Sequence, residues 1–339
     1  MELNTPTADV MTALSGLGLI DPGDPCEIKT LGGGVSCDVF EVRNAERTIC
    51  VKRALPKLRV AAEWRAPAER SHAEVAWMEL VAGIDPNWVP AILGEDRARH
   101  LFAMEYFPPQ THPVWKELLA EGRADADFAA RVGRALAQIH AATAGRDDIA
   151  HQFEHGVQFH ALRVDAYLLH TAAKHADVGP TIRAMAKSLG NARIALMHGD
   201  VSPKNILCGP DGPVFIDAET CCYGDPAFDL AFCLNHLLLK GVWHSEHATA
   251  YGRCFTALCE AYFTGARWEE RRGLESRTVG LLSAFLLARV DGKSPIEYIT
   301  TDADREFVRS MAKEFLSGRA TTLTEMLDRW TEALPTRQM

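Results

Sequence analysis

The sequence predicts an α+β protein in which a small antiparallel sheet is followed by a larger, mainly helical part. Residues 26–55 alternate apolar and polar side chains, as expected of two or three antiparallel strands. Residues 88–107 indicate two more strands around an Asp/Arg turn. From residue 110 onward the apolar residues recur at helical spacing, and one such face would carry Phe128, Val132, Leu136 and Ile139.

Two further helices follow from the local pattern. One is expected at residues 8–18, before the turn-rich stretch DPGDP, and another at about 179–190. Near residue 289 a helix should end and a new one should start at Ser294–Pro295.

Composition restricts the classes of function. The 339 residues are 47% hydrophobic and 24% charged, which is ordinary for a globular protein, and the net charge of −9 argues against a nucleic-acid partner. The apolar run LAFCLNHLLLKGVW is too short for a membrane span and contains Asn235, His236 and Lys240. The first twenty residues lack the basic start of a signal peptide, and the nine cysteines show no paired spacing. We therefore expect a cytoplasmic monomer or homodimer without membrane contact.

One stretch, residues 196–219, collects polar residues at strand ends. His198-Gly199-Asp200 is followed after four residues by Asn205, and Asp217 ends the next apolar run. A lone His-Gly-Asp would fit a turn with a buried histidine. The full spacing matches the H-R-D-x-x-x-x-N loop and metal-binding Asp of protein kinases. Phosphoryl transfer needs such a set, because one carboxylate accepts the hydroxyl proton while oxygen ligands hold Mg²⁺.

The run HGDVSPKNIL followed by FIDAE resembles the kinase-like small-molecule phosphotransferases, which include aminoglycoside phosphotransferases, choline kinases, methylthioribose kinase and homoserine-kinase-like enzymes. The resemblance spans most of residues 28–240. It implies a two-lobed protein-kinase-like fold, ATP and Mg²⁺ as cofactors, and a small-molecule hydroxyl as the acceptor. Residues 1–107 would form the nucleotide-binding lobe with its hinge, and residues 108–339 the helical lobe with the catalytic loop and acceptor site.

Phosphate contacts are expected between the first two strands. Gly32, Gly33 and Gly34, with Ser36, lie where a kinase has its glycine-rich loop, although Cys37 replaces the third glycine. Backbone amides can approach phosphates closely there because glycine has no Cβ. A plain hairpin turn would also explain the glycines.

The strand ICVK strengthens the nucleotide hypothesis. Its Lys52 takes the place of the kinase lysine that meets the α- and β-phosphates. The resemblance implies a glutamate partner on the following helix, with Glu74 as the first choice and Glu79 as the reserve. The segment MEYF resembles the hinge that recognises adenine, which places Met104 behind the base and Glu105 and Phe107 at its edge.

The remaining candidates surround the catalytic loop. His198 and Asp229 are expected to support it, with Asp229 hydrogen-bonding its backbone. Ser202, where a protein kinase has a lysine, is expected to contact the nucleotide. Glu219 would add an acidic group near the metal or acceptor. The further candidates for acceptor binding are Asp225, Arg289 and Asp291, although a helix end explains the last two equally well.

The acceptor is open at this point. The best match is an aminoglycoside-type or amino-sugar acceptor, for which Glu219, Asp225 and the net charge would provide carboxylates. A methylthioribose-like sugar or an amino alcohol of the choline or homoserine type is the alternative. A second alternative is a non-catalytic ATP-binding regulatory protein, whose signature would be the loss of Asp200, Asn205 or Asp217. The His-rich segment 151–175 lacks metal-ligand spacing and is either structural or substrate-facing.

Overall fold

The computed structural model describes residues 5–32, 36–55, 68–154 and 156–334. The predicted order of a sheet followed by a mainly helical part is confirmed. The strands are β1 (Glu27–Leu31), β2 (Cys37–Arg43), β3 (Thr48–Ala54), β4 (Ile92–Asp96), β5 (Leu101–Glu105), β6 (Ala195–Met197), β7 (Ile206–Cys208), β8 (Pro213–Phe215) and β9 (Cys222–Gly224). The helices are α1 (Thr5–Gly16), α2 (Arg70–Ala82), α3 (Trp115–Ala120), α4 (Ala126–Thr143), α5 (Asp147–Gln152), α6 (Gly156–Phe159), α7 (His170–Lys174), α8 (Gly179–Asn191), α9 (Ala227–Trp243), α10 (Ala248–Gly265), α11 (Arg271–Asp291), α12 (Asp302–Leu316) and α13 (Leu323–Ala333). A π-helical segment, His160–Leu169, joins α6 to α7.

Three boundaries differ from the sequence-based expectation. The first helix begins at Thr5 and ends at Gly16, because Gly18 has a positive φ of 68° that stops it. Helix α11 continues to Asp291. The helix expected at Ser294–Pro295 does not form, because the Ile296 amide donates to the Arg289 carbonyl at 2.8 Å and folds the segment back onto α11.

The first five strands form one antiparallel sheet in the order β1-β2-β3-β5-β4. Side chains alternate across a strand, so Ile49 and Val51 of β3 pack on one face with α1, in a small core that also contains Val10 and Leu14. Lys52 therefore points to the opposite face, toward α2 and the rest of the protein. The expectation of two or three strands over residues 26–55 and of two around the Asp/Arg turn is confirmed.

The helical part is built around α9, whose residues from Ala227 to Val242 are all buried. This is the apolar run noted in the sequence. Helix α4 packs closely on α10, and Gly133 makes the approach possible because a Cβ there would lie 2.3 Å from the Leu258 carbonyl oxygen. Within the described residues, no helix combines the length and the apolar character needed to cross a membrane.

Two short antiparallel pairs carry the polar stretch. Strand β6 pairs with β9, and β7 pairs with β8. The loop from His198 to Asn205 joins β6 to β7, and Asp217 follows β8. The Cys208 amide donates to the Pro113 carbonyl at 2.8 Å, which ties the β7–β8 pair to the chain leaving β5. The loop from His198 to Asn205 and the turn at Asp217 are thereby held below the five-stranded sheet.

Candidate active site

A cavity of about 800 Å³ lies between the sheet and the helical part. A volume of this size accommodates a nucleotide-sized ligand. The polar residues that line it are Ser36, Lys52, Glu74, Glu105, Tyr106, His112, Glu117, Arg163, Tyr167, Asp200, Lys204, Asn205, Asp217, Glu219, Arg289, Ser294 and Glu297.

Lys52 is the cationic centre of the sheet side. Its Nζ donates to Glu74 Oε1 at 2.8 Å and Oε2 at 2.7 Å, and it also contacts the carboxylate of Asp217. Burial alone would lower the pKa of Lys52, but Asp217 and Glu74 outweigh it and hold that pKa well above the usual value. Glu74 is thus the partner that the structure places beside Lys52, whereas Glu79 is exposed. The Lys52 ammonium group therefore stays charged, and its carboxylate partners fix its orientation.

The loop after β6 is held from below by Asp229, in the first turn of α9. The Asp229 carboxylate accepts hydrogen bonds from the backbone amides of His198 at 2.7 Å and Gly199 at 2.9 Å. His140, buried on α4, also lies 3.3 Å from it through Nε2. Gly199 has a φ of 79°, and a Cβ there would lie 2.4 Å from the Thr220 carbonyl oxygen, so the turn requires glycine.

His198 completes the loop as a neutral, buried ring. Its Nε2 donates to the Ile216 carbonyl at 3.1 Å, and its Nδ1 accepts from the Asp200 amide at 3.2 Å. Burial lowers the pKa of His198, which keeps Nδ1 available as an acceptor. The histidine therefore joins the loop after β6 to the strand that precedes Asp217.

Asp200 is surrounded by donors. Asn205 Nδ2 donates to its carboxylate at 2.8 Å, and Arg163 and Lys204 each form an ion pair with it at 3.1 Å. Burial alone would raise the pKa of Asp200, but Arg163 and Lys204 outweigh it, so the pKa lies below the usual value. Asp200 is ionised and fixed at the cavity wall.

Asn205 and Asp217 supply oxygen atoms suited to a hard cation. The Asn205 amide nitrogen donates to the Asp200 carbonyl at 3.0 Å and to its carboxylate, which leaves the amide oxygen as an available ligand. Asp217 has a φ of 67°, a left-handed conformation that aspartate tolerates, and its side chain remains 25% exposed at the cavity. Carboxylate and amide oxygens are the ligands that Mg²⁺ prefers, so this donor set fits the ion.

Glu219 lies beside the cavity but is already paired. Arg70, which is fully buried at the start of α2, donates through Nε to Glu219 at 2.9 Å. The same guanidinium donates to the carbonyls of Ser36 and Leu55. Glu219 therefore connects the tip after β8 to the region after β1.

The hinge candidates line the cavity at the end of β5. Met104, Glu105 and Phe107 all contribute to its wall, with Gly32 and Ser36 across from them on the β1–β2 side. The Glu105 backbone amide donates a hydrogen bond to the Ala91 carbonyl at 2.9 Å. Gly33 and Gly34 lie outside the described residues.

Three candidates lie outside the cavity wall. Asp225 is buried, accepts from the Ala227 amide at 3.0 Å and pairs with Arg277 at 2.7 Å, so it caps α9 and does not face an acceptor. Asp291 pairs with Arg309 at 2.7 Å at the end of α11. Ser202 is fully buried and is not among the residues that line the cavity.

Two site residues were missed by the sequence analysis. Arg163 lies in the π-helical segment and also donates to the Gly199 carbonyl at 2.8 Å. Lys204 stands four residues after Asp200 and provides a positive charge that Ser202 lacks. The i, i+4 spacing of Lys204 from Asp200 was a usable signal, whereas nothing local marked Arg163.

A five-stranded antiparallel sheet beside a helical part, with a buried lysine facing carboxylate and amide oxygens suited to Mg²⁺, is the arrangement expected of kinase-like phosphotransferases. Residues 27–274 match the model of the Phosphotransferase enzyme family, and the chain belongs to this family. The resemblance inferred from the HGDVSPKNIL and FIDAE motifs is thus confirmed.

Individual relatives are more distant. Methylthioribose kinase 1 of Oryza sativa subsp. japonica is 27% identical over 255 residues, which cover 66% of this chain and 59% of that protein. The chain thus matches less than two thirds of the length of this relative. Methylthioribose kinase of Bacillus cereus (strain 03BB102) is 23% identical over 335 residues, covering 85% of this chain and 84% of that protein. Among solved structures, a choline/ethanolamine kinase family protein from Mesorhizobium loti has a TM-score of 0.54 at 18% identity, covering 95% of this chain and 99% of the other. That likeness confirms the kinase-like fold.

Proposed function

We propose that this protein transfers the γ-phosphoryl group of ATP to a hydroxyl group of a small molecule. The observation that carries the proposal is the meeting of Lys52, Asp200, Asn205 and Asp217 at one cavity, although they come from three separate parts of the chain. Family membership supports the same reaction class.

In the proposed reaction Asp200 orients the acceptor hydroxyl and takes its proton. The acceptor oxygen forms a bond to the γ-phosphorus, the bond between that phosphorus and the ADP oxygen breaks, and the proton passes to Asp200. The lowered pKa of Asp200 keeps it ionised at neutral pH. Its ion pairs with Arg163 and Lys204 fix its position, and such positioning is the main source of rate acceleration in phosphoryl transfer.

Lys52, held by Glu74, would position the α- and β-phosphates, and Asn205 and Asp217 would hold Mg²⁺. The bound ion would offset negative charge that develops on the phosphoryl oxygens. We further propose that Met104, Glu105 and Phe107 contact the adenine. The boundary at residue 107 between a nucleotide lobe and a helical lobe is part of this proposal.

The acceptor is proposed at the level of a small alcohol. Methylthioribose is included among the first acceptors to test, because the relatives at 27% and 23% identity carry that name. The polycationic aminoglycoside favoured by the sequence analysis is less well supported, since Asp225 lies away from the cavity and Glu219 is paired with Arg70. Choline and homoserine complete the panel.

The test compares Asp200→Asn with Asp211→Asn, a matched change on the exposed β7–β8 turn. Asp200→Asn should bind ATP with nearly unchanged affinity, measured by calorimetry, and lose ADP formation with every acceptor of the panel. Asp211→Asn should behave like the unchanged protein. Substantial transfer by Asp200→Asn would overturn the role of Asp200. ATP binding by the unchanged protein without turnover on any acceptor would favour the regulatory alternative.

A further inference from the structure

The cavity continues past Asp200 into a region bounded by the π-helical segment and the end of α11. Arg163 and Tyr167 face this region from the π-helical segment, and Arg289 faces it from α11. The Arg289 guanidinium donates to the Tyr167 hydroxyl at 3.2 Å. Asp200 lies next to this region, since Arg163 is paired with it at 3.1 Å, so under the proposed function the region receives the acceptor.

Arg289 is buried without an ion-pair partner among the described residues. It is only 9% exposed, and its hydrogen bonds go to the Tyr167 hydroxyl, the Ser294 carbonyl at 3.1 Å and His236 Nε2 at 3.2 Å. The pKa of His236 lies well below its usual value, mainly because the ring is buried and also because Arg289 and Lys240 are close to it. The His236 ring is therefore neutral. The Arg289 Nε has no hydrogen-bond partner among the described residues, and none of their carboxylates forms an ion pair with it. A buried cation with only neutral partners is unfavourable unless an anion completes the site.

A second buried cation lies beside it. Lys240 of α9 is 1% exposed, and its Nζ has no hydrogen-bond partner within the described part of the chain. The nitrogen lies over the rings of Trp243 and Tyr298, 4.8 Å from the centroid of each ring. Burial lowers the pKa of Lys240 to about 8, which still leaves it mostly protonated at neutral pH.

Arg289 and Lys240 share a small side pocket. It has a volume of about 60 Å³, and its charged or titratable lining consists of Lys116, Lys204, His236, Lys240, Arg289, Glu297 and Tyr298. A cavity needs roughly 10–15 Å³ to hold one water molecule, so this pocket has room for a group of a few atoms. Glu297 is paired with Lys116 at 2.6 Å and Lys204 with Asp200 at 3.1 Å. Glu297 acts on Arg289 and Lys240 only at longer range, and neither cation has an ion-pair partner of its own among the described residues.

We propose that the acceptor carries an anionic group, a carboxylate or a phosphate, which binds in this side pocket between Arg289 and Lys240 while its hydroxyl faces Asp200. This inference rests on the proposed function. It narrows the acceptor to hydroxy acids or phosphorylated alcohols and disfavours cationic amino sugars.

The test uses four probes that share one sugar skeleton, namely glucose, gluconate, glucose 6-phosphate and glucosamine. Binding to the full chain is measured by calorimetry with Mg-ADP present. The affinity of a probe can then be measured even if the protein does not phosphorylate it. Gluconate or glucose 6-phosphate should bind at least about tenfold more tightly than glucose, because burying a charge against unpaired cations adds one or more tenfold steps. The two anions distinguish a carboxylate site from a phosphate site.

Three matched variants locate the effect. Arg289→Met and Lys240→Met should each remove most of the preference for the anion while Mg-ADP affinity stays within about twofold. Arg272→Met, an exposed arginine on the same helix as Arg289, should leave the preference intact. If Arg289→Met does not fold, the anion preference of Lys240→Met alone tests the proposal.

Three outcomes would overturn the inference. One is binding of glucose or glucosamine as tightly as both anions. Another is an anion preference that persists in both variants. The third is an equal loss of turnover on all acceptors in Arg289→Met, because Arg289 would then act on the transferred phosphoryl group. Absence of Mg-ADP binding in the unchanged protein would instead refute the proposed function itself.

Discussion

Replacing Asp229 with asparagine should separate the geometry of the catalytic loop from the stability of the fold. The Asp229 carboxylate accepts from the amides of His198 at 2.7 Å and Gly199 at 2.9 Å. Asparagine keeps one acceptor oxygen and turns an NH₂ group toward the second amide. One buried amide then loses its partner, and the remaining hydrogen bond loses its ionic character.

The size of the effect follows from these two changes. An unsatisfied buried donor costs about 1–3 kcal/mol, and the loss of charge assistance costs about 1 kcal/mol, so the free energy of unfolding should fall by about 2–4 kcal/mol. An unfolding entropy near 2.1 cal/mol/K per residue gives roughly 0.7 kcal/mol/K for a chain of this length, so Tm should fall by about 3–6 °C. Because Asp200 is displaced with the loop, kcat should fall at least about tenfold, with the KM for ATP little changed.

Asp225→Asn is the matched control. Asp225 is also buried, lies four residues earlier, and pairs with Arg277 instead of the loop. It should lower Tm by a similar amount and leave kcat near the unchanged value when both variants are assayed well below their melting temperatures. An equal fall of kcat in the two variants would show that Asp229 acts only through global stability.

Two further predictions concern packing and pH. Gly133→Ala should destabilise the protein by about 1–3 kcal/mol in urea titrations, because its Cβ would meet backbone of α10, whereas Gly190→Ala, with nothing within 4 Å, should be neutral or stabilising. Equal effects of the two changes would contradict the close helix contact. Because the pKa of His236 is lowered in the folded protein, the unfolded chain binds a proton there that the folded protein does not bind. The free energy of unfolding should therefore fall as the pH drops below 6.5, the usual pKa of histidine. His236→Gln should make that decline shallower by up to about 1.4 kcal/mol per pH unit, and an unchanged slope would argue against a neutral histidine.

Much of the site could be predicted from the sequence because its chemistry is encoded in short spacings. The interval from Asp200 to Asn205 lies in one loop, and Asp217 ends the next hairpin, so local structure alone brings them together. Lys52 could be placed because alternation along β3 decides which face it occupies. Its pairing with Glu74 was implied by the family resemblance, and helical periodicity located the helix that carries this glutamate.

Other parts depend on contacts between distant elements. Arg163 reaches Asp200 from a π-helical segment whose sequence shows no motif, and the contact exists only because that segment packs beside the loop. Asp225 and Asp291 looked available because their partners, Arg277 and Arg309, are 52 and 18 residues away along the chain. Whether a charge is available to a ligand is therefore a tertiary property, which motif spacing does not determine.

Glu219 and Arg289 show why net charge was a poor guide to the acceptor. A chain charge of −9 suggested an acidic cleft, and Glu219 was its best local support. Yet the Glu219 carboxylate is neutralised by Arg70, whose guanidinium is fully buried and is further held by the carbonyls of Ser36 and Leu55. A cationic acceptor would have to displace a cation that is fixed by several hydrogen bonds. At the other end of the cavity Arg289 has only neutral hydrogen-bond partners among the described residues, so no ion pair has to be displaced there by an anion. Next to Arg289 the charge available to an acceptor is thus positive, even though the protein as a whole is acidic.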